Sequence, residues 1–227
     1  MPRKTPVSPP PSGPSHRHFQ DISSGDGKKL RTRGLLLDTA IAVFAQKGIE
    51  AASIVEITEA AGLSNGSFYY HFPDKAALVD AVGGAVAATL VRETDEAMTA
   101  RHKGAERVAF ATLFFIRQGV SNPAWGRLIW RALGQLGEFR EQISAGIRKD
   151  VQIGVDQGDF DAVPSPALHA MLLGIVSAAM HELLESPTAT GIETLASEAV
   201  LRVLGVRPAK ARALVAESWQ QMTPPTA

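Results

Sequence analysis

The chain contains no cysteine. That absence excludes a disulfide framework, a thiolate metal site and a cysteine nucleophile together. No surplus of either charge exists: 23 Lys and Arg stand against 23 Asp and Glu, for a formal net charge of zero. The parts before and after residue 88 are each nearly balanced as well. Affinity for a polyanion must then come from a few placed cations rather than from bulk charge. The most apolar run, residues 170–180, falls well short of the roughly 20 residues that a membrane-spanning helix needs. No span is expected. The N-terminal stretch lacks the continuous apolar core of a secretory signal, and the expected location is the cytoplasm. Catalytic signatures are missing too. There is no nucleophile elbow of the Gly-x-Ser-x-Gly type, no phosphate loop and no His-Glu-x-x-His. His169 and His181 lie twelve apart, which is not metal-ligand spacing on one helical turn. Neither enzymatic activity nor a metal nor a cofactor is expected.

What is present points to helices. Hydrophobic residues make up 45 % of the 227 positions, enough for real cores. Residues 1–28 are the exception, rich in Pro, Ser and Gly and poor in large apolar side chains. Such a segment cannot bury enough surface to offset ordering entropy, and reads as a disordered arm carrying Arg3, Lys4 and Arg17. Next comes the one dense basic cluster, Lys28, Lys29, Arg31 and Arg33. From there on the period is helical. Leu36, Leu37, Ala40, Val43 and Phe44 follow the spacing of an amphipathic helix, which Gly48 stops. Ser53 and Glu56 have the spacing of a capping box opening a short helix over 54–61. Gly62 supplies a turn. Ser64 is placed to cap a second short helix over 65–71, and a long helix follows Pro73 from about Asp74 toward Ala100. Further helices are expected over 104–120, 124–136, 138–157, 166–185, 192–204 and 208–221, with Gly and Pro at the breaks. No alternating run supports a strand. The fold class is all-α.

The short helix 65–71 has an unusual composition. Phe68 and Phe72 are four apart and share a face, which turns inward. At about 100° per residue, Gly66 and Tyr70 point nearly the opposite way, flanked by Ser67 and Tyr69. Asn65 projects from the N-terminal end. Glycine within a helix costs up to about 1 kcal/mol relative to alanine, and exposed tyrosines do little for solubility. A surface that only had to be stable would prefer Glu, Lys, Gln or Ala. Glycine admits the close approach of another backbone, while Ser, Asn and Tyr donate to phosphates and base edges. Lys75 in the first turn of the next helix is disfavoured by the helix dipole unless an anion lies nearby. Two short helices with a tight turn make a helix-turn-helix whose second helix reads the major groove. The competing reading is a protein-interaction module that uses Tyr69 and Tyr70 without DNA.

The stretch that carries Leu36, Leu37, Ala40, Val43, Phe44, Gly48, Ser53, Ile57, Ala60 to Ser64, Gly66, Phe68 to Phe72, Lys75 and Leu78 resembles the N-terminal domain of the TetR/AcrR family of transcriptional regulators. The resemblance covers about 50 residues. It implies a three-helix DNA-binding domain over 29–88, then a helical ligand-binding and dimerisation domain over 89–227. It further implies a phosphate contact at Ser53 and a groove-facing set Ser64, Asn65, Gly66 and Ser67. Asn65 and Ser67 are the expected base readers, and Tyr69, Tyr70, His71 and Lys75 the phosphate grips. Ile49 and Thr58 depart from the family, which usually has an aromatic residue and an alanine there. Neither is expected at the reading face. The implied partners are a palindromic double-stranded DNA operator, a second copy of the chain and a small-molecule effector, with repression as the outcome.

The C-terminal part has no comparable motif. Small and apolar residues cover much of the circumference of helix 166–185, so it must be buried in a core or against a partner copy. It and helix 192–204 are the expected dimer contact. Phe110, Phe114, Trp130 and Met171 are the expected effector-binding residues. Phe115, Trp125, Phe139 and Met180 join them as residues that suggest a pocket in the same region, although aromatic and methionine side chains at helical spacing are more often plain core.

Overall fold

The computed structural model describes residues 27–101, 103–121, 123–135 and 137–222. The N-terminal arm, with Arg3, Lys4 and Arg17, lies outside the described residues up to position 26, and so does the side chain of Trp125. Every described element of secondary structure is helical: α1 (Gly27–Lys47), α2 (Ile54–Ala61), α3 (Asn65–His71), α4 (Lys75–Ala97), α5 (Gly104–Ser121), α6 (Pro123–Gln135), α7 (Gly137–Asp156), α8 (Pro166–Glu185), α9 (Ile192–Val203) and α10 (Pro208–Met222). The all-α expectation holds. Helix bounds agree with those read from the sequence to within a few residues, because glycine and proline mark the breaks.

The chain forms two compact units that meet in sequence between Leu78 and Val79, inside α4. In the first, α1 packs on α2 and α2 on α3. Leu36, Leu37, Ala40 and Phe44 of α1 are buried, as are Ile57 of α2 and Phe68 of α3. Their spacing puts one face of each helix inward. Gly48 ends α1 at φ +84°, a conformation that L side chains rarely adopt, with its N–H donating to the Phe44 carbonyl at 2.8 Å.

In the second unit α5 is the central helix, in contact with α6, α7, α8, α9 and α10. Ala105, Val108, Ala109, Leu113 and Ile116 are buried along it. Close packing depends on small residues. A Cβ on Gly104 would sit 2.2 Å from the Gly154 Cα, so α5 and α7 touch backbone to backbone there. The buried Ser197 hydroxyl is satisfied by donating to the Ala109 carbonyl at 3.1 Å.

One correction to the sequence reading concerns α8. Over Pro166–Glu185 this helix is long and apolar enough to cross a membrane by length and composition, although its most apolar run is short. Leu172, Leu173, Val176, Met180, Leu183 and Leu184 are buried, but Met171 is 59 % exposed, and Ala170, Gly174 and Ala178 are exposed with it. On α9, Leu195 is 67 % exposed.

Candidate nucleic-acid interface and effector cavity

The turn between α2 and α3 is built by local hydrogen bonding. Ser53 is the N-cap of α2: its hydroxyl oxygen accepts from the Glu56 N–H at 3.2 Å, and the Glu56 carboxylate accepts from the Ser53 N–H at 3.0 Å. The capping box is complete. The Glu56 carboxylate also pairs with Lys47. Lys47 foremost, then the Ser53 N–H and hydroxyl, hold the Glu56 pKa down to about 2. At the other end Gly62 has φ +66°, its N–H donates to the Glu59 carbonyl at 3.1 Å, and the Leu63 N–H donates to the Thr58 carbonyl at 2.9 Å. This pair of bonds is a Schellman motif, and it reverses the chain. Ser64 then caps α3, accepting from the Ser67 N–H at 3.2 Å.

The two faces of α3 are as the helical phase predicts. Phe68 and Phe72 are buried, their ring centroids 5.8 Å apart. Tyr69 and Tyr70, the two tyrosines of the whole chain, are 57 % and 68 % exposed. Ser53, Ser64, Asn65 and Gly66 are exposed, and Ser67, His71 and Lys75 are partly so. A Cβ built on Gly66 would meet nothing nearer than the Ser64 Oγ, at 3.7 Å. Internal packing therefore gives no reason for glycine there.

Thr58 corrects a second expectation. It is only 1 % exposed, yet its hydroxyl donates to the Asn65 Oδ1 at 2.8 Å. A residue not expected at the reading face thus hydrogen-bonds Asn65, one of the two expected base readers.

The basic cluster of α1 lies beside the C-terminal end of α3, which position in sequence does not disclose. Lys29 holds its ammonium 5.1 Å from the Tyr70 ring centroid, and the Arg33 guanidinium is 5.0 Å from that of Phe72. Both distances suit cation–π attraction. Burial, then the charges of Lys29 and Arg33, push the His71 pKa below the ordinary imidazole value. The His71 Nδ1 is buried without a hydrogen-bond partner among the described residues. Lys29 and Arg33 stand against the aromatic residues of α3 and were not singled out by the resemblance; the density of cations at 28–33 was the available signal.

Two of the expected phosphate contacts already have internal partners. The Lys75 ammonium donates to the Glu50 carbonyl at 3.0 Å, and Asp74 caps α4 by accepting from the Ala77 N–H at 2.8 Å. Lys75 keeps two further donors. The Ser53 hydroxyl donates to Glu56 at 3.0 Å.

Within the second unit a cavity of about 90 Å³ opens among α4, α5, α7, α8 and α9. Its wall is mostly apolar, with Met98, Phe115, Ile143, Leu172 and Val176 among the lining. Thr94, Asp95, Thr112 and Asp150 supply the polar groups. Arg107 joins the two carboxylates, donating to Asp150 at 2.7 Å and to Asp95 at 3.1 Å, while Lys149 donates to Asp95 at 2.9 Å. Burial raises the Asp150 pKa more than Arg107 lowers it. The four residues expected to bind effector lie elsewhere. Phe110 stacks on Phe114 at 5.8 Å under the Arg101 guanidinium, Trp130 stacks on His181 at 4.4 Å, and Met171 faces outward. None of the four lines this cavity. Among the described residues, no group of His, Asp and Glu is arranged to hold a metal ion.

A helix-turn-helix with a tyrosine-bearing outer face, followed in the chain by a helical unit with its own cavity, defines a class: regulatory proteins of the helix-turn-helix type. Comparison with known proteins makes it specific. Residues 36–82 match the bacterial regulatory proteins of the tetR family, and residues 103–217 match the tetracyclin repressor-like C-terminal domain. The chain belongs to the TetR family. It is 34 % identical over 76 residues to the HTH-type transcriptional repressor KstR2 of Rhodococcus jostii, covering 34 % of this chain and 32 % of that protein. It is 45 % identical over 47 residues to the regulator AcrR of Shigella flexneri, covering 21 % and 22 %. The chain thus spans a third or less of the length of these curated relatives. Among solved structures, RolR in complex with resorcinol superposes with a TM-score of 0.66 at 26 % identity, over 83 % of this chain and 94 % of that one. FadR of Bacillus subtilis, solved with stearoyl-CoA, shares the fold at a TM-score of 0.59 and 16 % identity, over 75 % and 96 %.

Proposed function

We propose that this chain is a sequence-specific DNA-binding transcriptional repressor, released from its operator by a small-molecule effector. The outer face of α3 carries the reading. Gly66 has no internal reason to be glycine, and Tyr69 and Tyr70 are exposed beside Lys29. A phosphate backbone pressed on this face explains all three. Asn65 and Ser67 are the base readers. Tyr69, Tyr70, His71, Lys75, Lys29 and Arg33 bind phosphates. Residues 29–88 form the reader, and residues 89–227 the effector-binding and dimerisation part. A cytoplasmic location follows from this role.

The protein acts as a homodimer on a palindromic operator. One recognition helix reads only a few base pairs, and two-fold pairing doubles the readout at a half-site spacing of about 34–36 Å. The exposed apolar faces of α8 and α9, with Met171 and Leu195, support the dimer contact.

The effector site is the cavity near Arg107. Its size is of the order of the roughly 150 Å³ cavity known to hold benzene, which suits a single ring rather than a long acyl chain. Its apolar wall and its acidic end at Asp95 and Asp150 favour an uncharged ring bearing hydroxyl donors. Resorcinol, the ligand solved with RolR, has this chemistry. Helix α4 carries Lys75 at its start and Leu90, Thr94 and Asp95 on the cavity wall. An effector that binds better to a second arrangement of this helix shifts the population away from the DNA-competent state.

The test is a titration of resorcinol and other hydroxylated benzenes into a preformed complex with the duplex upstream of the chain's own gene. Release supports the full reading. Binding without release retains the DNA reader and overturns the effector. A chain that captures protein but no duplex would favour an interaction module built on Tyr69 and Tyr70.

A further inference from the structure

Thr58 stands in the interior of α2, almost fully buried, and its hydroxyl oxygen has three oxygen neighbours. The Ile54 and Val55 carbonyls lie at 3.0 Å each, and the Asn65 Oδ1 at 2.8 Å. A hydroxyl has one proton. The two carbonyls belong to α2, whose own N–H groups serve them along the helix. The carboxamide of Asn65, by contrast, is on the exposed end of α3. Two arrangements satisfy the group. In one, the Thr58 hydroxyl donates to the Asn65 Oδ1 and the Nδ2 is left facing outward. In the other, the carboxamide is turned by half a rotation, the Nδ2 donates to the Thr58 Oγ1, and the hydroxyl proton returns to a helix carbonyl. Both fix the plane of the carboxamide; the structure holds the first, with the Oδ1 on the Thr58 hydroxyl and the Nδ2 edge turned away from α2.

We infer that Thr58 is a specificity-determining positioning residue of the DNA reader. It never meets DNA, but it sets the direction in which Asn65 offers its donor and acceptor to a base edge. This rests on the proposal that α3 reads a major groove. A side chain held in its bound orientation before association loses less freedom on binding. A free carboxamide, in contrast, turns either its oxygen or its nitrogen to the base and accepts more than one pair. The turn at Gly62 makes the contact: it brings residues seven apart in sequence, on successive helices, within hydrogen-bond distance.

The experiment is selection of bound duplexes from a random-sequence pool by the full-length chain and by its T58V, T58S and N65A variants. N65A identifies the base pair that Asn65 reads. T58V keeps the shape and removes the hydroxyl; T58S keeps the hydroxyl. Expected is a loss of preference of about fivefold or more at that same pair in T58V, with the parent preference kept in T58S and unchanged affinity for random duplex in both. If T58V fails to fold on thermal melting, T58A gives the same readout without added bulk. A parent-like profile in T58V or T58A at the pair that N65A flattens overturns the inference alone. So does flattening by T58S equal to that by T58V, or an N65A profile identical to the parent's. A parent chain that enriches no sequence overturns the DNA-reading proposal itself.

Discussion

The Lys29 ammonium lies 5.1 Å from the centre of the Tyr70 ring, joining the basic start of α1 to the exposed face of α3. A protein of zero net charge gains a local cationic surface by this kind of placement. Each cation that neutralises a phosphate releases counterions, and affinity then falls with salt. Substituting Lys29 or Arg33 by Ala should weaken binding to operator and random duplex alike, and lower the slope of log affinity against log salt by about 1 per residue. Anisotropy titrations at several salt concentrations check this.

Gly66 separates stability from function. With open space around the position, G66A should stabilise the fold by up to about 1 kcal/mol through helix propensity. The same methyl group would stand between α3 and the duplex, so operator affinity should fall. Thermal melting and binding measured on one preparation should move in opposite directions.

His71 links binding to pH. Burial and the nearby Lys29 and Arg33 hold its folded pKa below the unfolded value of about 6.5. As pH falls through that value the unfolded chain takes up a proton that the folded chain resists. Its contribution to stability is therefore present at neutral pH and lost toward acid. A bound phosphate reverses the local charge and raises the pKa. Operator affinity should then rise as pH is lowered from 7.5 toward 6, and H71Q should lack that increment. Imidazole resonances followed by NMR with and without duplex report the shift directly.

Asp150 is the polar group of the cavity whose loss should uncouple effector from operator. D150N should keep operator affinity and abolish release by hydroxylated benzenes, since Asp95 still receives Arg107. R107A is harsher: it leaves buried carboxylate charge uncompensated and should cost about 3–5 kcal/mol in denaturant unfolding.

Met171 and Leu195 test the dimer. Replacing each by Glu places charge on an exposed apolar face, with little effect expected on the fold of one copy. Light scattering should report a monomer for the double variant and a dimer for the parent. A monomeric parent at micromolar concentration contradicts the two-fold operator.

Much of this was legible in the sequence, for physical reasons that differ by residue. Ser53, Glu56, Gly62 and Ser64 act through neighbours three to five positions away, so spacing alone specifies the capping box and the turn. The faces of α3 follow from helical phase, which puts Phe68 inward and Tyr70 outward. Contacts across a turn or between helices were not legible. Thr58 reaches Asn65, Lys75 reaches Glu50 and Lys29 reaches Tyr70 only once the helices pack. The cavity is the clearest case. Phe110, Phe114, Trp130 and Met171 have the right chemistry, but which face of a helix meets a void depends on all of its neighbours. Asp95 and Asp150 carried no local mark of the cavity they line.

Reading of base sequence by α3 is tested most directly by the affinity of the full-length chain for its selected duplex against a scrambled duplex of equal length, at one physiological salt concentration. The expected ratio is about 10³ or more, with Y70A lowering both affinities and N65A lowering only the first. Equal affinity for the two duplexes in the parent chain would contradict it.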